Sequence, residues 1–109
     1  ETIPVTVTGC LHLKTGCTAL DQGTVLINPA WVDSTPFHGF RIIETVAGEP
    51  FAANVLPIHD RVCMSDGFPE TISLVRSLGY RVISTDISEF MKAEAGLTCM
   101  CVPFLSDSF

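Results

Sequence analysis

Two residues near opposite ends of the chain have side chains that could do chemistry together. One is Cys99, in the run Ala95-Gly96-Leu97-Thr98-Cys99-Met100-Cys101-Val102. The other is His12, in Cys10-Leu11-His12-Leu13-Lys14-Thr15-Gly16-Cys17. A thiol and an imidazole brought together by a fold form a covalent-catalysis pair, the sulfur attacking and the ring moving protons. Both runs read as strands, on which alternate residues share a face. Cys99 and Cys101 would then point one way, and Cys10, His12 and Lys14 would share a face opposite Leu11 and Leu13. The competing reading makes His12 a hydrogen-bonded structural imidazole and the cysteines small, inert core residues.

The other reactive side chains carry weaker signals. Cys101 could pair oxidatively with Cys99, or help Cys99 and His12 hold a soft metal such as zinc, which would inhibit rather than catalyse. Packing on a shared face is the simpler role for it, and for Cys10. Cys17 and Cys63 read as core. His59 sits in an Ile-His-Asp turn and His38 in a Pro-Phe-His-Gly loop that could line the mouth of a site. Asp21 and Asp60 read as turn formers, and Asp66 and Glu70 suit the start of a helix, where negative charge is favoured.

Something must carry the two ends to one place, and period-2 alternation with turn residues supplies it. Strands are expected at 3–8, 11–19, 24–27 and 41–46, with a short helical turn within 29–38. A second set follows: strands at 54–58 and 61–64 around a His59-Asp60 turn, a helix at 69–78, and a buried strand at 80–85. Ile72, Leu74, Val75 and Leu78 make that helix's apolar stripe, and Gly79 is placed to stop it. A short helix at 88–94 and a closing strand at 97–104 complete the reading. Strand-strand-helix-strand thus occurs twice, at about 11–46 and 54–85, as a repeat of architecture with little shared sequence. Two such units usually cannot close a core alone, which points to further partners.

Composition bounds the rest. A chain of 109 residues is one domain at most, and an apolar fraction of 47% is enough for a core. Only 17% of residues are charged, which suggests that some surface is normally covered. A first residue of Glu1, directly before an extended run, reads as part of a longer polypeptide. The net charge of −6, with six scattered cations, argues against a nucleic-acid partner. No apolar run is long enough to span a membrane. Five cysteines, without the spacing of a small disulfide domain, suggest a reducing, cytoplasmic setting.

The segments Leu11-His12-Leu13-Lys14 with Cys17, Ala52-Ala53-Asn54, and Gly96-Leu97-Thr98-Cys99-Met100 resemble the carboxy-terminal half of the dimethylarginine dimethylaminohydrolases. These belong to the guanidino-modifying, or pentein, superfamily, with arginine deiminases and amidinotransferases. The resemblance is in order and spans about residues 5–104. It departs from the family at Cys101, where a serine is expected.

The resemblance implies an α/β fold. Residues 1–109 would form a single segment, about two ββαβ modules, of a five-bladed α/β propeller with its site in the central channel. By matching position, Cys99 is the nucleophile and His12 the general acid/base, with Ala93 to Ala95 offering backbone carbonyls to the substrate amine. The groups that grip the guanidinium and the substrate carboxylate lie in the half not present here. The implied reaction is hydrolysis of methylated arginine to citrulline and an alkylamine without an organic cofactor; arginine deiminase or amidinotransferase chemistry, or a non-catalytic assembly module, are the rivals. The expected partners are a small guanidino molecule, the remaining half of the propeller and, as a further option, a second copy in a homodimer.

Overall fold

The computed structural model describes residues 2–10 and 12–88. Ala93, Cys99, Cys101, most of the expected helix at 88–94 and the expected closing strand lie outside the described residues. In chain order the elements are α1 (Leu13–Gly16), β1 (Cys17–Asp21), β2 (Thr24–Ile27), a 3-10 turn (Thr35–Phe37), β3 (Arg41–Glu44), β4 (Leu56–Ile58), β5 (Arg61–Ser65), α2 (Pro69–Ser77) and β6 (Arg81–Thr85).

Short apolar runs cut by turn residues make two sheets of the same design, ordered β1-β2-β3 and β4-β5-β6. In each, the first pair is antiparallel and the second parallel. The repeat expected from the sequence is therefore present. In the first copy the crossover helix is reduced to the 3-10 turn, because Pro29, Pro36 and Gly39 leave no uninterrupted helical stretch. The tight turn after β1 is made by Asp21, whose carboxylate accepts the Gly23 N–H at 2.8 Å.

Both faces of β2 are covered, so all four of its residues are buried. Leu26 joins a core with Leu20, Ile43, Val55, Val62, Met64, Ile72 and Val75 that spans both sheets. On the other face Val25 and Ile27 pack with Cys17 and Val32. Helix α2 follows its expected stripe: Ile72 and Val75 are buried, and Leu74 and Leu78 pack against the same core. Pro69 opens it, and Gly79, at φ +98, ends it in the left-handed conformation that favours glycine.

Three expectations are corrected. Residues 3–8 form one bridge, Val7 to Val32, rather than a strand, since among the described residues no second strand lies alongside to continue the ladder. The run 11–19 is broken by the single turn α1, so β1 begins only at Cys17. Strand β6 is largely exposed: among the described residues it is the outer strand of its sheet, and only Val82 packs against the core while Ile83 faces outward.

The two modules are also tied by the Tyr80 hydroxyl, which donates to Asp21. That bond, with the Gly23 N–H, holds the Asp21 carboxyl below its ordinary value. Desolvation, and then the same bond, push the Tyr80 phenol up. A lowered carboxyl contributes stability above its unfolded pKa of roughly 4, lost as pH falls through the folded value; a raised phenol contributes below roughly 10, lost as pH rises through the folded value. The stability difference between the natural protein and Tyr80→Phe should therefore be flat near neutrality and shrink at both extremes, as followed by urea midpoints across pH. A difference independent of pH would contradict the link.

Candidate active site

His12 sits at the N-terminus of α1 with an extended backbone (φ −126°, ψ 146°), and its imidazole does not cap the turn. Its carbonyl closes the turn by accepting the Thr15 N–H at 3.0 Å. The Cys10 thiol also donates to that carbonyl, at 3.4 Å. The ring itself is exposed. His12, Cys10 and Lys14 are therefore a compact turn and not one face of a strand.

The loop bearing His12 is held at both ends by one neighbouring turn. Upstream, Thr8 N–H donates to the Trp31 carbonyl at 2.7 Å, and Asp33 N–H to Thr6. Downstream, Asn28 N–H donates to the Gly16 carbonyl at 2.7 Å. The contact is close enough to demand glycine at both clamps. A Cβ on Gly9 would lie 2.5 Å from the Trp31 ring, and Gly9 has φ +78; a Cβ on Gly16 would lie 2.7 Å from Val32.

Asn28 anchors that turn. Its side-chain oxygen accepts the Ala30 N–H at 2.9 Å, and its amide donates to the Pro50 carbonyl at 2.9 Å. Trp31 adds an edge-on contact to Phe51, with ring centroids 5.0 Å apart. The next segment, Ala52-Ala53-Asn54, is wholly buried, and Thr18 on β1 donates its hydroxyl to the Ala53 carbonyl at 2.7 Å. The first two segments that carry the family resemblance thus meet through β1 and the Asn28 turn. Replacing Asn28 by Ala should cost about 1–3 kcal/mol, since two part-buried hydrogen bonds, each worth about 0.5–1.5 kcal/mol, are lost. Asn28→Asp, which keeps the oxygen acceptor alone, should not restore full stability in urea unfolding.

Glu49, next to Pro50, is a buried carboxylate at the start of α2. Its two oxygens accept the N–H groups of Thr71 at 2.7 Å and Glu70 at 3.2 Å. Thr71 in turn accepts the Val46 N–H. Glu49 reads in the sequence only as part of a Gly-Glu-Pro connection, and no local signal marks it, because its partners lie more than twenty positions away. Asn28 is likewise legible only as a strand breaker before Pro29.

Burial disfavours the thiolate form at Cys10 and Cys17. Burial pushes the Cys17 thiol up, against the opposing pull of Lys14, and burial also raises Cys10. No disulfide joins Cys10, Cys17 or Cys63; Cys17 is buried as expected, whereas Cys63 is only partly so. His38 ends the 3-10 turn and is exposed, and His59 occupies its turn at φ +55, also exposed. Among the described residues no group of three metal-ligating side chains converges, and no helix is long and apolar enough to cross a membrane. The nucleophile candidate Cys99, with Cys101 and the Ala93 carbonyl, lies outside the described residues.

Comparison with known proteins gives a consistent answer. No family model matches the chain. It is 40% identical over 94 residues to N(G),N(G)-dimethylarginine dimethylaminohydrolase of Pseudomonas aeruginosa, covering 86% of this chain and 37% of that protein. A Streptomyces coelicolor protein of the same name is 35% identical, covering 92% of this chain and 38% of its own length. The solved Pseudomonas aeruginosa structure, a variant complexed with citrulline, superposes with a TM-score of 0.78 at 36% identity, over 86% of this chain and 37% of that one. An amidinotransferase from Microseira wollei shares the fold, with a TM-score of 0.74 at 20% identity over 83% of this chain and 32% of that one. The chain spans little more than a third of the curated relatives it matches. It is a homologue of part of the dimethylarginine dimethylaminohydrolases and carries the mixed α/β architecture of the guanidino-modifying, or pentein, superfamily.

Proposed function

We propose that this chain is the carboxy-terminal, Cys/His-bearing segment of a hydrolase that converts dimethylarginine and water into citrulline and dimethylamine. The similarity along 86% of the chain to a dimethylarginine dimethylaminohydrolase is the observation that carries this reading. The exposed imidazole on a clamped loop supports it, because a proton carrier needs both access and a fixed backbone.

In the proposed mechanism the Cys99 thiolate attacks the guanidinium carbon and forms a tetrahedral adduct. The carbon–nitrogen bond to the methylated amine breaks as His12 protonates that nitrogen. A thiouronium remains on Cys99. Water, giving its proton to His12, then attacks the same carbon, and collapse expels the thiolate and leaves the urea group of citrulline. A guanidinium is a resonance-stabilised, poor electrophile, so a soft thiolate is suited to it. A cationic substrate beside the thiol would favour the thiolate form. The Ala93 carbonyl would accept a hydrogen bond from the substrate amine. The acidic groups that hold the cation belong to the remaining half of the propeller, a partner this reading requires; zinc on Cys99 and His12 would block the pair. A reducing, cytoplasmic compartment fits a nucleophilic thiol of this kind.

The test is citrulline formation by the full-length protein offered dimethylarginine, arginine, and arginine with an amine acceptor. The reading expects dimethylarginine to be turned over best. Preferential turnover of arginine, or transfer of the amidino group to the acceptor, would move the assignment to a deiminase or an amidinotransferase.

A further inference from the structure

Three of the six cations of this acidic chain converge at the start of β5 and β6, at the end of the second sheet where α2 finishes. Arg61 and Arg81 are the first residues of these parallel strands and lie directly opposite one another in register. Neighbouring strands are only about 4.8 Å apart, and like charges placed opposite each other are unfavourable unless an anion lies between them. Asp60 supplies part of that anion. Its carboxylate is 3.2 Å from Arg81 and 3.8 Å from Arg61. Arg76, from the last turn of α2, joins them, its guanidinium anchored by donating to the Val82 carbonyl at 3.3 Å. With Tyr80, Val82 and Ile83 these arginines line a groove of about 410 Å³.

Among the described residues Asp60 is the carboxylate within ion-pair distance of these guanidinium groups, one negative charge against three positive ones in a chain whose net charge is −6. A phosphate monoester is dianionic near neutral pH and presents three acceptor oxygens, so it matches both the charge and the number of donors. A monocarboxylate matches neither. The exposed Ile83 side chain and the Tyr80 ring give the groove an apolar wall beside the cations. We propose that this groove binds a phosphate monoester, its dianion held by Arg61, Arg76 and Arg81 and its organic part resting on Tyr80 and Ile83. The inference is independent of the chemistry proposed for His12 and Cys99.

Calorimetric titration of the full-length protein at low ionic strength with phenyl phosphate, inorganic phosphate and glutarate tests it. Phenyl phosphate should bind more tightly than inorganic phosphate, and both more tightly than glutarate, with affinity falling as salt is added. Arg81→Gln should weaken phenyl phosphate binding about tenfold, the usual effect of losing a charge-assisted hydrogen bond. Asp60→Asn should strengthen it, because the competing carboxylate is removed while the exposed turn keeps a residue that suits it. The opposite shifts separate a phosphate site from a simple loss of folding. Glutarate binding as tightly as phenyl phosphate, Asp60→Asn weakening the complex, or no phosphate binding at all would overturn the proposal.

Discussion

Replacing His12 by alanine in the full-length protein is expected to lower kcat/KM for dimethylarginine by roughly 10²–10⁴, the range over which a positioned acid–base group accelerates proton transfer. The loss should fall mainly on kcat. The imidazole is exposed, does not cap α1, and contributes to the fold through its backbone carbonyl, which alanine retains. Urea unfolding of the variant should therefore differ little from that of the natural protein. A large fall in stability with proportionate loss of activity would make His12 a structural residue and remove the proton carrier from the mechanism.

The second large effect concerns Glu49. Its carboxylate takes two N–H groups at the start of α2, where the helix dipole also favours negative charge. Glu49→Ala should destabilise the protein by about 3 kcal/mol, since bonds to a carboxylate are worth about 1.5–3 kcal/mol each, the buried Thr71 N–H is left without a partner and the part-buried Glu70 N–H loses its own. Against a typical total of about 5–15 kcal/mol, that is a major loss. Glu49→Gln keeps one acceptor oxygen and should recover roughly half of the difference. Equal stability of the two variants in urea would show that the carboxylate does not anchor the helix. Because Pro50 follows directly and accepts from Asn28, the loss of Glu49 should also loosen the turn that clamps the His12 loop.

Both predictions rest on features of different legibility. Helix α2 and strand β2 were readable because their signals are local: a stripe at helical spacing with a proline start and glycine stop, and a short apolar run between turns. The repeated strand order was readable for the same reason. The turn at His12 was not. Cys10, His12 and Lys14 alternate with Leu11 and Leu13 as on a strand, but the close approach of Gly9 to Trp31 and of Gly16 to Val32 decides the path there. Those contacts join residues well apart in sequence. The exposure of β6 escaped the reading because its composition, Tyr-Arg-Val-Ile-Ser-Thr, suits a central strand as well as an edge. Glu49 and Asn28 escaped it because a polar residue in a connection looks the same whether solvated or buried against a distant helix. Along the sequence the arginines of the groove look like scattered charge; only the parallel register of β5 and β6 brings Arg61 and Arg81 side by side. The Cys99 assignment came from family resemblance.

The most direct test of the central claim is peptide mass spectrometry of the full-length protein after treatment with a chloroacetamidine, an electrophile that carries the guanidine-like cation. Raised thiol pKa values at Cys10 and Cys17 keep those sulfurs protonated, so they should react slowly. An amidine adduct is expected on Cys99, suppressed by added dimethylarginine and slowed in His12→Ala. Uniform labelling of all five cysteines, unaffected by dimethylarginine, would contradict it.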